Sequence, residues 1–96
     1  MRRADILDIL NQHKVVLSEQ FDVGKIALFG SAVRDELAEE SDIDILVEFS
    51  GPATSNLYFG LQFYLEDLLN RPIDLVTTKA LRKELKPYIY QEAVYV

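Results

Sequence analysis

The stretch "SDIDILVEF", Ser41 to Phe49, constrains this chain more than any other. Its apolar residues and period-2 alternation predict a strand with one face in the core. Asp42 and Asp44 are two residues apart, so on a strand they point to the same face. Ile43, Ile45, Val47 and Phe49 make one face; Asp42, Asp44, Leu46 and Glu48 make the other. Two ionised carboxylates this close repel, and burial raises the cost. A cation resolves the conflict. Mg²⁺ suits it, because it prefers oxygen ligands and takes few carboxylates beside phosphate oxygens and water. Taken alone, a D-x-D pair is more often a solvated strand edge with its aspartates exposed.

A third carboxylate shifts the balance. In "RPIDLVT", Asp74 stands between Ile73 and Leu75 in an otherwise apolar strand. If that strand lies beside the first, Asp42, Asp44 and Asp74 share one face. Carboxylates so placed can hold two divalent ions roughly 3.5–4 Å apart, an arrangement suited to in-line phosphoryl transfer. Upstream, "LFGSAVRDEL" runs from a strand through Gly30 and Ser31 into a predicted helical turn or two. Gly lets the backbone turn sharply and an anion approach. A helix start offers free N–H groups and a positive dipole end to a phosphate. Arg34, three residues after Ser31, shares that helix face. Ser31 as a plain N-cap is the bland alternative.

The remaining chain predicts a frame for these residues. An amphipathic helix is expected over about residues 3–20, with His13 on its apolar stripe as a packing residue. "KIALF" predicts a buried strand, "LYFGLQFYLEDLLN" a second long helix, and the tail a helix broken near Pro87. Thr54, Ser55 and Asn56 are candidate caps in the loop before the second helix. The order α-β-α-β-α-β-α gives an α/β (α+β-like) fold: a small mixed three- to four-stranded sheet with helices packed on it. With 96 residues, one domain over 1–96 is expected. On the second helix, Leu57, Leu61, Tyr64, Leu65 and Leu68 cluster on one face, with Phe59 and Phe63 near the opposite one, as an interface or a second core layer. Arg82, Lys83 and Lys86 read as a solvated basic face.

Composition excludes several classes. There is no Cys, hence no disulfide and no thiolate metal site. No apolar run is long enough to span a membrane, and Asp5 and Asp8 interrupt any signal-peptide core, so a cytoplasmic protein with no membrane partner is expected. The net charge of −6 argues against strong nucleic-acid binding, though not against a nucleotide held through metal ions.

Together, "GSAVR", "SDIDILVEF" and "PIDLV", with the closing "EAVYV", resemble the minimal nucleotidyltransferases of the DNA polymerase β-like superfamily. The resemblance runs the whole chain. It implies that Gly30 and Ser31 grip the triphosphate, with Arg34 and Ser41 as further nucleotide-site candidates. It implies that Asp42 and Asp44 bind two Mg²⁺ ions (or Mn²⁺) and that Asp74 serves the ion activating the acceptor hydroxyl. Many members have Gly directly after the Arg; here Asp35 stands there. The implied activity is transfer of AMP from ATP, or another NMP from its NTP, to a hydroxyl. Such chains are often antitoxins that adenylylate a tyrosine of a helical HEPN toxin in a hetero-oligomer. Two alternatives remain open: a non-catalytic antitoxin that masks its partner, and an enzyme acting on a small hydroxylated molecule of the antibiotic type.

Overall fold

The computed structural model describes residues 1–96. Its elements are α1 (Arg3–Gln12), α2 (Lys14–Phe21), β1 (Val23–Phe29), β2 (Ile43–Phe49), α3 (Ser55–Leu69), β3 (Ile73–Thr77), α4 (Lys86–Glu92) and β4 (Val94–Tyr95). Short 3₁₀ turns follow β1 at Gly30–Ala32 and β3 at Thr78–Ala80. The strands form one four-stranded mixed sheet in the order β3-β2-β1-β4. β1 runs antiparallel to both β2 and β4, whereas β2 and β3 are parallel and joined through α3.

Alternation along the strands sorts the side chains. Ile43, Ile45 and Val47 of β2 and Ile73 and Leu75 of β3 are buried in the main core. Ile6, Leu10 and Leu17 of the first two helices join them there, as do Leu61, Leu65 and Leu69 of α3. The α3 leucines recur every four residues, which stacks them along one helix face. Burying each is worth about 1.5–3 kcal/mol. The strand residues between the core positions face the other way. There Ala27 and Leu46, cross-strand partners, are buried outside the main core. Asp44 and Asp74 are on that same face.

Three features of the frame differ from the sequence expectations. The helix expected over 3–20 is broken at His13. Its backbone N–H donates to Leu10 O at 3.2 Å, so the Ile9 carbonyl lacks its helical partner. The His13 ring supplies one, with Nδ1 2.9 Å from Ile9 O. Since a carbonyl only accepts, Nδ1 carries the proton.

Second, "SAVRDEL" is not an α-helix. After the 3₁₀ turn, Asp35 adopts a left-handed φ of 56°. Glu36 N donates to Ser31 O at 2.9 Å and Asp35 N to Ala32 O at 3.3 Å. These are the two bonds of a Schellman closure, which stops the helix after a single turn. The dipole argument for phosphate binding at Ser31 therefore does not hold.

Third, Pro87 does not break the tail helix. It lies in the first turn of α4, where its missing N–H does no harm. The chain then adds β4 beside β1, a strand absent from the expected order.

Candidate active site

The parallel register of β2 and β3 places Asp44 directly opposite Asp74. Both point away from the main core, and Asp42 lies just before the start of β2. Asp42 and Asp74 are exposed, and Asp44 is half-buried. Asp44 carries the cost of the arrangement. Its pKa is pushed up to about 6, first by burial, then by the facing Asp74 charge, and further by Asp42 and Glu92.

The strand ends are held in place from both sides. Ile43 N donates to Pro72 O at 3.0 Å, which locks the start of β2 to that of β3. The Arg71 guanidinium donates to the carbonyls of Ala38, Glu39 and Ser41, so the acidic loop before Asp42 is clamped from the β3 side. The Ser41 hydroxyl is engaged in that loop, accepting from Ala38 N at 3.2 Å. On the outer edge of β3, Tyr58 Oη donates to Leu75 O at 2.5 Å and Gln62 Nε2 to Ile73 O at 3.4 Å. These two bonds from α3 flank Asp74 and fix the strand that carries it.

Gly30 meets the carboxylates from β1. Phe29 pairs with Asp44, so the next residue turns directly over that side chain. Gly30 has a φ of 73°, and a Cβ there would collide with Asp44 Oδ2. Glycine is therefore required twice, for conformation and for space. Ser31 follows within the same turn and Arg34 at its end. Arg34 donates to Glu36 at 3.1 Å and to Glu92 at 2.8 Å. Glu36 and then Glu92 raise its pKa above the ordinary arginine value. Asp35, the residue where glycine is common, uses its side chain to accept from Arg3 N, the first N–H of α1, at 2.6 Å.

The structure thus brings Gly30, Ser31, Asp42, Asp44 and Asp74 to one end of the sheet. It places Arg34 beside them and turns the Ser41 hydroxyl to loop support. Sequence reasoning missed Arg71, the clamp of the loop, and Glu92, whose carboxylate accepts from Gly30 N at 2.5 Å. The only signal for Glu92 was its place in the closing "EAVYV" stretch.

Divalent ions fit the chemistry of this set, because every donor is a hard oxygen and Asp44 is short of positive charge. No three of these carboxylates are grouped closely enough to hold an ion by themselves. An ion held here would take the rest of its shell from phosphate and water.

Known proteins resemble this chain in sequence and in fold. Residues 10–96 match the family model described as nucleotidyltransferase domain. The protein adenylyltransferase MntA of Thermococcus cleftensis is 41% identical, across 96% of this chain and 93% of its own. A Methanocaldococcus jannaschii relative, provisionally named a protein adenylyltransferase, is 44% identical across 97% of this chain and 96% of its own. A solved structure provisionally described as a minimal nucleotidyltransferase superposes with a TM-score of 0.83 at 29% identity, covering 98% of this chain and 95% of that one. A Shewanella oneidensis complex, described as a tri-AMPylated HEPN toxin with an MNT antitoxin, shares the fold at a TM-score of 0.60 and 22% identity, covering 90% and 68% of the two chains. By its matched domain and these relatives, the chain belongs to the nucleotidyltransferase-domain family and is a nucleotidyltransferase.

Proposed function

We propose that this chain transfers AMP from ATP to a tyrosine hydroxyl of a helical HEPN-type partner, and so acts as its antitoxin. One observation carries the reading: Asp44 and Asp74 stand opposite each other on parallel strands, directly beside the tight turn at Gly30. Such an arrangement suits phosphoryl transfer, with acids for the metal ions next to a backbone turn that can receive phosphate. The MntA relative is named for protein adenylylation, and the Shewanella complex pairs an AMPylated toxin with an antitoxin of this fold. The exposure of Asp42 and Asp74 supports an acceptor delivered by another protein.

In the proposed reaction the acceptor oxygen forms a bond to the α-phosphorus of ATP. The bond from that phosphorus to the bridging oxygen breaks, and pyrophosphate leaves. The Gly30 N–H and Ser31 hydroxyl bind the departing phosphates, and Arg34 adds positive charge at the same turn. Asp42 and Asp44 would hold both Mg²⁺ ions, and Asp74 the one on the acceptor side. When bound, the ions neutralise phosphate charge and make the acceptor hydroxyl more acidic. Asp74 orients that hydroxyl and receives its proton at a carboxylate oxygen.

The test is incubation with labelled ATP, Mg²⁺ and the product of the adjacent gene, which is expected to be HEPN-type, followed by intact mass of both. One or more AMP additions on partner tyrosines are expected, with none on a partner carrying Phe at those positions. A stable complex that never acquires AMP would instead mark a masking antitoxin. Label on a hydroxylated small molecule but on no protein would move the acceptor to the third class.

A further inference from the structure

The carboxylate of Glu92 lies where a phosphate is expected. It accepts from Gly30 N at 2.5 Å and from Arg34 Nη1 at 2.8 Å. A carboxylate offers the same pair of anionic acceptor oxygens as the edge of a phosphate, and a backbone N–H and a guanidinium serve either one. A backbone N–H has a single hydrogen to give. A phosphate that uses Gly30 must therefore displace Glu92.

We infer that Glu92 is a residue of the nucleotide site that acts as a tethered competitor, filling the phosphate cradle until a nucleotide displaces it. This rests on Gly30 and Ser31 being the triphosphate grip.

The setting of Glu92 suits a competitor better than a strut. It is the last residue of α4, a seven-residue helix with no buried side chain. Little packing is lost when such a helix shifts. Asp44 packs against the same glycine, where the missing Cβ would sit. Two carboxylates converging on one residue repel, which makes Glu92 easier to displace. A metal-bound triphosphate would bring its own cations, which offset the Asp44 charge that Glu92 only adds to.

The inference predicts that nucleotide affinity is lowered by the fraction of molecules with the cradle filled. Calorimetric titration with ATP and with inorganic tripolyphosphate, both with Mg²⁺, tests it in wild type, Glu92→Gln and Ser31→Ala. Glu92→Gln should tighten both ligands on the order of tenfold. An equal gain for tripolyphosphate places the competition at the phosphates. A folded Glu92→Gln with unchanged or weaker affinity overturns the inference. Should that variant fail to fold, wild-type NMR decides. Tripolyphosphate should shift the Gly30 amide and the Glu92 carboxyl carbon together, and binding that leaves both signals in place overturns it. If neither wild type nor a folded Glu92→Gln binds ATP, the nucleotide-grip reading itself fails and takes the inference with it. If wild type binds and Ser31→Ala weakens binding, but Glu92→Gln gains nothing, only the inference fails.

Discussion

At the scale of single residues, Asp44 sets the terms. Its carboxyl is raised from an ordinary 3.8 to about 6 in the folded chain. A folded pKa above the unfolded one means that the native state binds the proton more tightly. Its contribution to stability is full below about pH 4 and is lost as pH rises through 6. Without metal, Asp44→Asn should thus stabilise the protein at pH 8, on the order of 1 kcal/mol once the open half of its surroundings is discounted. The gain should fade towards pH 4. Urea unfolding in EDTA at the two pH values measures it, and an equal gain at both would contradict the charge argument. Asp35 offers a second test. It holds a left-handed backbone and also caps α1 through Arg3 N. Asp35→Gly and Asp35→Ala both remove the cap, but only alanine must bear the left-handed strain. The alanine variant should be the less stable of the two by about 1 kcal/mol in the same unfolding assay.

At the scale of elements, what the sequence revealed was local. Asp44 and Asp74 stand between apolar residues within their own strands, with Asp42 just before the first, and that pattern survives any tertiary context. Gly30 and Ser31 follow a strand directly, so they too were legible. What escaped depends on partners far along the chain or on side-chain bonds that periodicity ignores. β4 is two residues long and exists only because Ala27 and Leu28 offer it an edge. Glu92 bonds to a glycine 62 positions away. The break at His13 comes from a ring taking a backbone acceptor, and the stop after Arg34 from one left-handed residue. α3 shows both sides: its leucine stripe was readable, but the bonds from Tyr58 and Gln62 that steady β3 were not. The exposed face of α3 carries Phe59 and Phe63, 52% and 62% exposed, which excludes the second core layer. A double change to Ser should therefore leave the melting temperature within about 2 °C while weakening association with the proposed HEPN-type partner at least tenfold. Calorimetry or surface binding reads the second effect, and unimpaired association would remove α3 from the interface.

For the whole molecule, charge decides how a nucleotide can bind at all. The chain carries a formal charge of −6. The end of the sheet where the triphosphate is proposed to lie adds Asp42, Asp44, Asp74 and Glu92 against Arg34 and Arg71. A polyanion brought there alone meets repulsion that two guanidiniums and one glycine N–H do not offset. ATP affinity should therefore collapse in EDTA and return with Mg²⁺ or Mn²⁺, and equal affinity in both conditions would remove the two-ion arrangement. The carboxylates should then divide the work. Asp44 packs against Gly30 and Asp42 lies two residues before it, so Asp42→Asn or Asp44→Asn should cost both ATP affinity and transfer. Asp74 lies one strand further from that turn and is the carboxylate proposed to serve the acceptor. Asp74→Asn should keep ATP·Mg²⁺ affinity within about threefold yet slow single-turnover transfer by at least a hundredfold, because its interaction is needed chiefly in the transition state. Single-turnover kinetics beside calorimetry separate the two effects. Transfer undiminished by Asp74→Asn would take it out of the reaction. Transfer too weak to detect in wild type, with partner binding intact, would leave the repelling acids without a catalytic reason to be there.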